Sequence, residues 1–188
     1  LSPNLSWNNH IDYILRRANQ SLGFLRRHLY MATKETKLLA YTALIRPKLE
    51  YASIIGNPHQ KYLNDRLESL QNRATRFILK QYAPVSVTQL KASIGLQTLQ
   101  QRRYLARLSY FHKLFHSSTE FRENNVIPPP RIFPRHDHPN IVHIPLAKTN
   151  LYKFSPLLQA IDDWNGLASE IAQTTNHDTF VSLLRGSL

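Results

Sequence analysis

TALIRPKLEYASIIGNPHQKYLNDRLESLQNRATRFILK, residues 42–80, carries the pattern on which the fold turns. In its second half Leu63, Leu67, Leu70, Ala74 and Phe77 recur at three- and four-residue spacing, which is one apolar stripe of an α-helix. Arg66, Arg73, Arg76 and Lys80 fall off that stripe. The spacing predicts a helix that buries one side in a bundle and turns a cationic side outward. The first half is also helical in period but contains Pro47, whose ring removes an amide donor and crowds the preceding turn, so a kink or short break is expected there. The Asn57-Pro58 pair reads as the turn between the two halves.

Working outward, Ile11, Ile14, Leu15, Ala18, Leu22, Leu25 and Leu29 define an upstream amphipathic helix ending near His28. Asn8 or Asn9 is its expected cap, and Arg16, Arg17, Arg26 and Arg27 lie mostly on its polar side. Thr33 is a good N-cap for the next helix, whose stripe is Leu38, Tyr41, Ile45 and Leu49; Thr36 leaves the capping box incomplete. Downstream, Ser86 with Gln89 and Thr98 with Gln101 match the capping-box pattern, with Gly95 as the helix stop between them. The helix opened by Thr98 runs through Arg102, Arg103 and Arg107, and Tyr104, Leu108, Phe111 and Phe115 are spaced for burial. Five helical patterns thus precede residue 117, and none shows strand alternation.

From Ser117 the character changes. Residues 117–150 hold Pro128-Pro129-Pro130, Pro134, Pro139 and Pro145, which predicts a linker lying over the helices in extended form, with 141–146 as one short edge strand. Ser155 as N-cap and Pro156 at the first helical position start a helix through Leu158, Ile161 and Trp164. Asp178 is the expected cap of a terminal turn holding Phe180, Val181 and Leu184. The expected architecture is all-α: a bundle of about five helices, a Pro-rich extended linker and one or two C-terminal helices. Its divisions are 1–83 for the bundle, 84–116 for further helices packed on it, 117–150 for the linker and 151–188 for the docked C-terminal helices.

A chain of 188 residues is about one domain, or one domain with an appendage. With 24 Lys and Arg against 12 Asp and Glu the net charge is +12, a balance that favours a polyanionic partner, usually nucleic acid. The excess is one-sided: residues 1–116 hold 18 basic and 5 acidic side chains, residues 117–188 hold 6 and 7. Cysteine is absent, so disulfides and thiolate metal sites are excluded, which fits an intracellular protein. No apolar run approaches the roughly 18 residues a membrane helix needs, and no signal peptide is present, so neither a membrane nor secretion is expected. The chain starts at Leu1 and reads as a piece of a longer polypeptide.

Catalytic chemistry finds little support in the residues. Asp162-Asp163 is the only adjacent acidic pair, and it lies inside a helical pattern rather than at a strand hairpin where two metal ions would be held. His112 and His116 share a helix face at the spacing of zinc-protease histidines, but Lys-Leu-Phe separates them and the Glu that would act as base is absent. His136-x-His138 lies in a Pro-rich loop without a partner cluster, and no nucleophile elbow appears. No catalytic residue, metal ligand or cofactor site is assigned.

An ordered set of motifs runs through the chain. It comprises LSWNNHI at the start, then Tyr41…Arg46-Pro47-x-Leu49-Glu50-Tyr51-Ala52-Ser53, Asn57-Pro58, Leu67-Glu68-x-x-Gln71-x-x-Ala74-x-Arg76, Arg102-Arg103 and Ser155…Trp164-Asn165-x-Leu167. This set resembles the C-terminal region, thumb and post-thumb, of the reverse transcriptases of jockey-like non-LTR retrotransposons. Two positions depart from it: Gly56 stands where relatives usually have a Trp, and Ala168 where a Pro usually follows Trp-Asn-x-Leu. The resemblance implies a non-catalytic part of an RNA-directed DNA polymerase that grips template RNA, RNA/DNA hybrid or DNA. The polymerase site and its magnesium would then belong to an upstream domain of the same polypeptide, acting in the nucleus and cytoplasm.

The residues expected to meet nucleic acid are Arg16, Arg17, Arg26, Arg27, Arg66, Arg73, Arg76, Lys80, Arg102, Arg103 and Arg107, because few carboxylates lie near them in sequence. Several such cations on phosphates would give salt-sensitive, largely sequence-independent binding. Tyr62, Tyr82 and Tyr104 are candidates for stacking, with core packing the better reading of Tyr104. Two other classes remain open. One is a domesticated helical protein-interaction domain, which would present an exposed apolar patch. The other is a sequence-specific DNA-binding domain, which would need a recognition helix.

Overall fold

The structure is a computed structural model that describes residues 7–55, 58–131 and 138–188. Gly56, Asn57, Pro134 and His136, with the residues before Trp7, lie outside the described residues. The fold is all-α: among the described residues the chain forms eleven helical segments and no strand. The count exceeds expectation because proline and cap chemistry divide what periodicity alone joins, and because short helices occur in the segment read as linker.

Contacts divide the chain into two units, one of residues 1–52 and 58–102, the other of residues 53–57 and 103–188. The first contains α1 (Asn8–His28), α2 (Lys34–Leu44), α3 (Arg46–Leu49), α4 (Lys61–Leu79), α5 (Val87–Ala92) and the start of α6 (Leu99–Ser117). The stripes of α1 and α4 meet in its core: Ile11, Leu15, Ala18, Leu22 and Leu25 from one, Leu63, Leu67, Leu70, Ala74 and Phe77 from the other. Tyr41, Ile45 and Leu49 join them, and Leu38 packs at the edge.

Pro47 acts as expected. The helix stops at Leu44, Ile45 is the break, and α3 restarts with the proline in its first turn. Thr33 caps α2 by accepting the Thr36 N–H at 3.3 Å. The box at Thr98 is complete, with the Gln101 N–H donating to Thr98 Oγ1 at 3.1 Å and the Thr98 N–H to Gln101 Oε1 at 3.0 Å. Gly95, at φ +64°, supplies the left-handed stop before it. Two expected cap bonds of this unit do not form. α1 begins at Asn8 itself with Trp7 in the cap position, and no side chain caps it; Ser86 precedes α5 but its hydroxyl makes no cap bond.

The second unit holds the rest of α6, with α7 (Thr119–Asn125), α8 (Asn150–Lys153), α9 (Pro156–Asn165), α10 (Ser169–Ala172) and α11 (His177–Gly186). Its core gathers Leu108, Phe111, Phe115, Leu158, Ile161, Trp164, Phe180 and Leu184. The stretch expected to be wholly extended opens with α7, because Ser118 accepts the Phe121 N–H at 3.1 Å and caps it. The expected edge strand at 141–146 is irregular chain instead. Its backbone finds partners outside the segment: Asn165 accepts the Val142 N–H at 2.9 Å and donates to the Val142 carbonyl at 2.7 Å, and the His143 N–H donates to the Ile127 carbonyl at 2.7 Å. The last element is a full helix rather than a turn, and its cap is Asn176, not Asp178.

Candidate nucleic-acid interface

Three polar contacts tie α1 to α4, and the partners in each are 54 positions apart: Tyr62 to Asn8, Arg66 to Asp12 at 2.5 Å, and Arg73 to Asn19 at 2.9 Å. A constant offset with both numbers rising means that the two helices run parallel. Near the end of this seam Arg26 Nη2 reaches the Arg73 carbonyl at 3.4 Å. The helices thereby place Arg16, Arg26 and Arg27 of α1 alongside Arg66 and Arg73 of α4, all exposed. Lys80 ends α4 in the left-handed conformation, φ +53°, with Nζ 5.7 Å from the Tyr30 ring centre. Among the described residues only the Arg66–Asp12 pair neutralises a cation here, and its two side chains are 46% and 45% exposed. Such a pair is worth about 0–1 kcal/mol, weak enough to yield to a phosphate.

Four other expected cations are turned to internal use. Arg76 is half-buried and clamps the chain after α4, donating to the Ala83 carbonyl at 2.8 Å and the Val85 carbonyl at 3.1 Å. Arg102 forks onto Glu50, its Nη2 3.0 Å from Oε2, and this bond raises its pKa further above the ordinary arginine value. Arg103 is buried at 3% exposure, and Arg107, at 7%, is paired with Asp163 through Nε at 2.7 Å and through Nη2. Absence of nearby carboxylates in sequence did not mean absence in space. The carboxylates that receive Arg102 and Arg107 come from 52 and 56 positions away.

On the opposite edge of α1 lies a notch of about 330 Å³, walled by Arg17, Gln20, Ser21 and Phe24 of α1, Leu44 of α2 and Lys48 of α3. Lys48 Nζ donates to Ser21 Oγ, which holds its ammonium at the wall. Phe24 is 50% exposed. Tyr13, Arg17, Gln20 and Phe24 follow one another at i, i+4, i+7 and i+11, a solvent-facing stripe of the same period as the buried one. Phe24, Tyr13, Gln20 and Lys48 were not among the expected contacts. The signal for three of them was this second stripe, hidden because an aromatic at helical spacing reads first as core.

Asp163 and the candidate histidines among the described residues have partners within the fold. Asp163 pairs with Arg107, and burial pushes its carboxyl above the ordinary value although Arg107 pulls the other way. Asp162 is exposed. Among the described residues no group of three or more metal-ligating side chains is positioned for an ion. His112 and His116 lie against aromatic rings instead, with His112 stacked 4.1 Å from Phe180. His138 meets the Trp164 carbonyl through Nε2 at 3.0 Å.

Two histidines of the second unit, His112 and His177, form a directed relay with Ser109. His112 Nε2 lies 2.8 Å from the Thr174 carbonyl, which only accepts, so Nε2 carries the proton. His112 Nδ1 must then accept from His177 Nδ1 at 3.3 Å, and His177 Nε2 accepts from Ser109 Oγ at 3.1 Å. A second proton on His112 must go to Nδ1 and turns that nitrogen from acceptor to donor, so the bond survives only if His177 moves its own proton from Nδ1 to Nε2. Burial pushes His112 below its ordinary value of 6.5, with a smaller opposing pull from the Thr174 carbonyl and smaller depressions from His116 and His177. The unfolded chain therefore binds more protons than the folded one just below that value. The relay's contribution is complete above about pH 6.5 and is lost as the pH falls toward the depressed folded value. Trp164 fluorescence in a Trp7→Phe background is expected to report a lower melting temperature near pH 5.5 than near pH 7.5. His112→Gln should narrow the gap; equal melting temperatures at both pH values would discard the relay.

A second, apolar cavity of about 200 Å³ lies in this unit among Ile54, Tyr110, Phe111, Phe121 and Leu157. Among the described residues no helix is long and apolar enough to cross a membrane. No family model, curated protein or solved structure matches the chain.

Proposed function

We propose that this chain grips the phosphate backbone of RNA, RNA/DNA hybrid or DNA with the parallel α1–α4 pair, as the non-catalytic C-terminal part of a retroelement reverse transcriptase. The observation that carries the reading is the seam itself. It aligns Arg16, Arg26, Arg27, Arg66 and Arg73 on exposed surface with one weak carboxylate partner among the described residues. A fold that needed those cations for itself would bury or pair them, as it does Arg102, Arg103 and Arg107. The resemblance in motif order supports the same reading and supplies the upstream polymerase domain as an intramolecular partner. Arg76, Arg102, Arg103 and Arg107 drop out of the binding set.

Fluorescence anisotropy of the chain on labelled hybrid, single-stranded RNA and duplex DNA across a salt series tests this. Arg16→Ala with Arg27→Ala is expected to shallow the slope of log affinity against log salt by roughly 1.4 to 1.8, the release of two phosphate contacts. An unchanged slope, or no binding near physiological salt, would reject the proposal, as primer extension by the isolated chain would reject its non-catalytic part. A protein-interaction reading keeps one observation in its favour: Met31 before α2 and Leu39 on it are 83% and 69% exposed. It predicts salt-insensitive self-association or partner binding through α2.

A further inference from the structure

We infer that the notch between α1 and α3 seats one unpaired nucleotide, its phosphate held by Arg17 and Lys48 and its base laid on Phe24. This rests on the nucleic-acid reading and adds to it a preference for single strands over duplex.

The notch has the chemistry of such a seat. Two cations, Arg17 and Lys48, stand on its walls, and neither pairs with a carboxylate among the described residues. Gln20 and Ser21 add neutral hydrogen-bonding groups beside them. Phe24 is left half-exposed in their midst. Its ring contact is with His28 on the same helix at 4.3 Å between ring centres, so it fills no core. A large apolar ring exposed among cations costs solvation and returns no packing, unless something flat and anionic lies on it. A base with its phosphate is such a group: the ring is a stacking platform, and paired bases inside a duplex cannot reach it. Along the same stripe Tyr13 stands eleven residues back, about 16 Å along the axis, and is 58% exposed. A strand that leaves the notch along α1 meets a second ring there.

The test compares oligouridylate and oligothymidylate with a duplex of equal length, by anisotropy, on the whole chain. Phe24→Ala is expected to lower the ratio of single-strand to duplex affinity about tenfold, within the span that loss of one stacked base gives. RNA and DNA strands should lose alike, because every base has a face to stack. Phe24→Trp should restore the ratio and show indole quenching on binding oligouridylate. Phe24 is 50% exposed and is not a member of the buried core, so both variants are expected to fold; unchanged circular dichroism checks this. A ratio unmoved by Phe24→Ala, with binding otherwise intact, overturns the seat alone. Binding to neither strands nor duplex overturns the general reading and the seat with it.

Discussion

Trp164→Ala is expected to cost the second unit about 3–5 kcal/mol, the range for removing a fully buried indole. Trp164 is 0% exposed and is the hub of the unit's aromatic cluster. Its rings lie 5.3 Å from Phe111, 5.2 Å from Phe115 and 5.9 Å from Phe180 between centres, with His138 set edge-on at 6.0 Å. These neighbours come from α6, α11 and the chain after the prolines, so no single element can close the void. The indole N–H also donates to the Asn140 carbonyl at 2.8 Å, and its loss leaves that carbonyl to find another donor. Trp164→Phe keeps most of the packing and should cost less, roughly 1–3 kcal/mol. Amide exchange of α6, α9 and α11 is the measurement: uniform loss of protection in Trp164→Ala is expected. Protection equal to that of the parent would mean that the cluster does not hold the unit together.

How much of this was legible before the structure depends on the range of the interaction. The stripe of α4, the break at Pro47, the cap at Thr33 and the box at Thr98 act within a few residues of chain, and they stand where the local pattern put them. Asn165 replacing a strand partner for Val142 was not legible, because the pairing spans 23 positions and leaves no local pattern. The same holds for Arg102 and Arg107, read as outward cations until Glu50 and Asp163 meet them through the fold. Phe24 failed in the opposite sense: helical spacing suits core and platform equally, and only exposure separates them.

Several motif residues acquire a physical reason. Glu50 anchors Arg102, and Asn165 fixes the chain over α9. Ala168 already has φ −61°, the value a proline ring imposes, so its departure from the motif leaves the backbone as a proline would have it.

The Leu67-Glu68-x-x-Gln71 motif has the tightest account, and Glu68→Ala should cost the first unit about 3 kcal/mol or more. Glu68 Oε1 accepts from Lys91 Nζ at 2.5 Å and from Gln71 Nε2 at 3.2 Å, while Oε2 accepts the Leu99 N–H at 3.0 Å. That last bond satisfies an amide at the start of α6, where the helix has no acceptor of its own. Gln71, fully buried, also accepts from Tyr41 Oη at 2.6 Å and donates to the Gln97 carbonyl at 2.9 Å, so one carboxylate ties α4 to α5, α6 and, through Gln71, α2. Burial pushes the Tyr41 phenol well above its ordinary value, which keeps it a donor at every working pH. Removing Glu68 strands the Lys91 ammonium at 8% side-chain exposure, and breaking a buried pair from one side costs far more than the pair contributes. The contrast with a double change separates the two quantities. Glu68→Leu with Lys91→Met removes both charges and should recover much of the loss, whereas Glu68→Gln can keep the Leu99 bond through its one amide oxygen but turns an NH2 donor toward Lys91 and Gln71, and should lose those two bonds with the charge. Urea melts of the three variants decide it. If Glu68→Ala costs less than about 1 kcal/mol, or the double variant is no better than the single, the ammonium is solvated in place and Glu68 is not the tie between these helices.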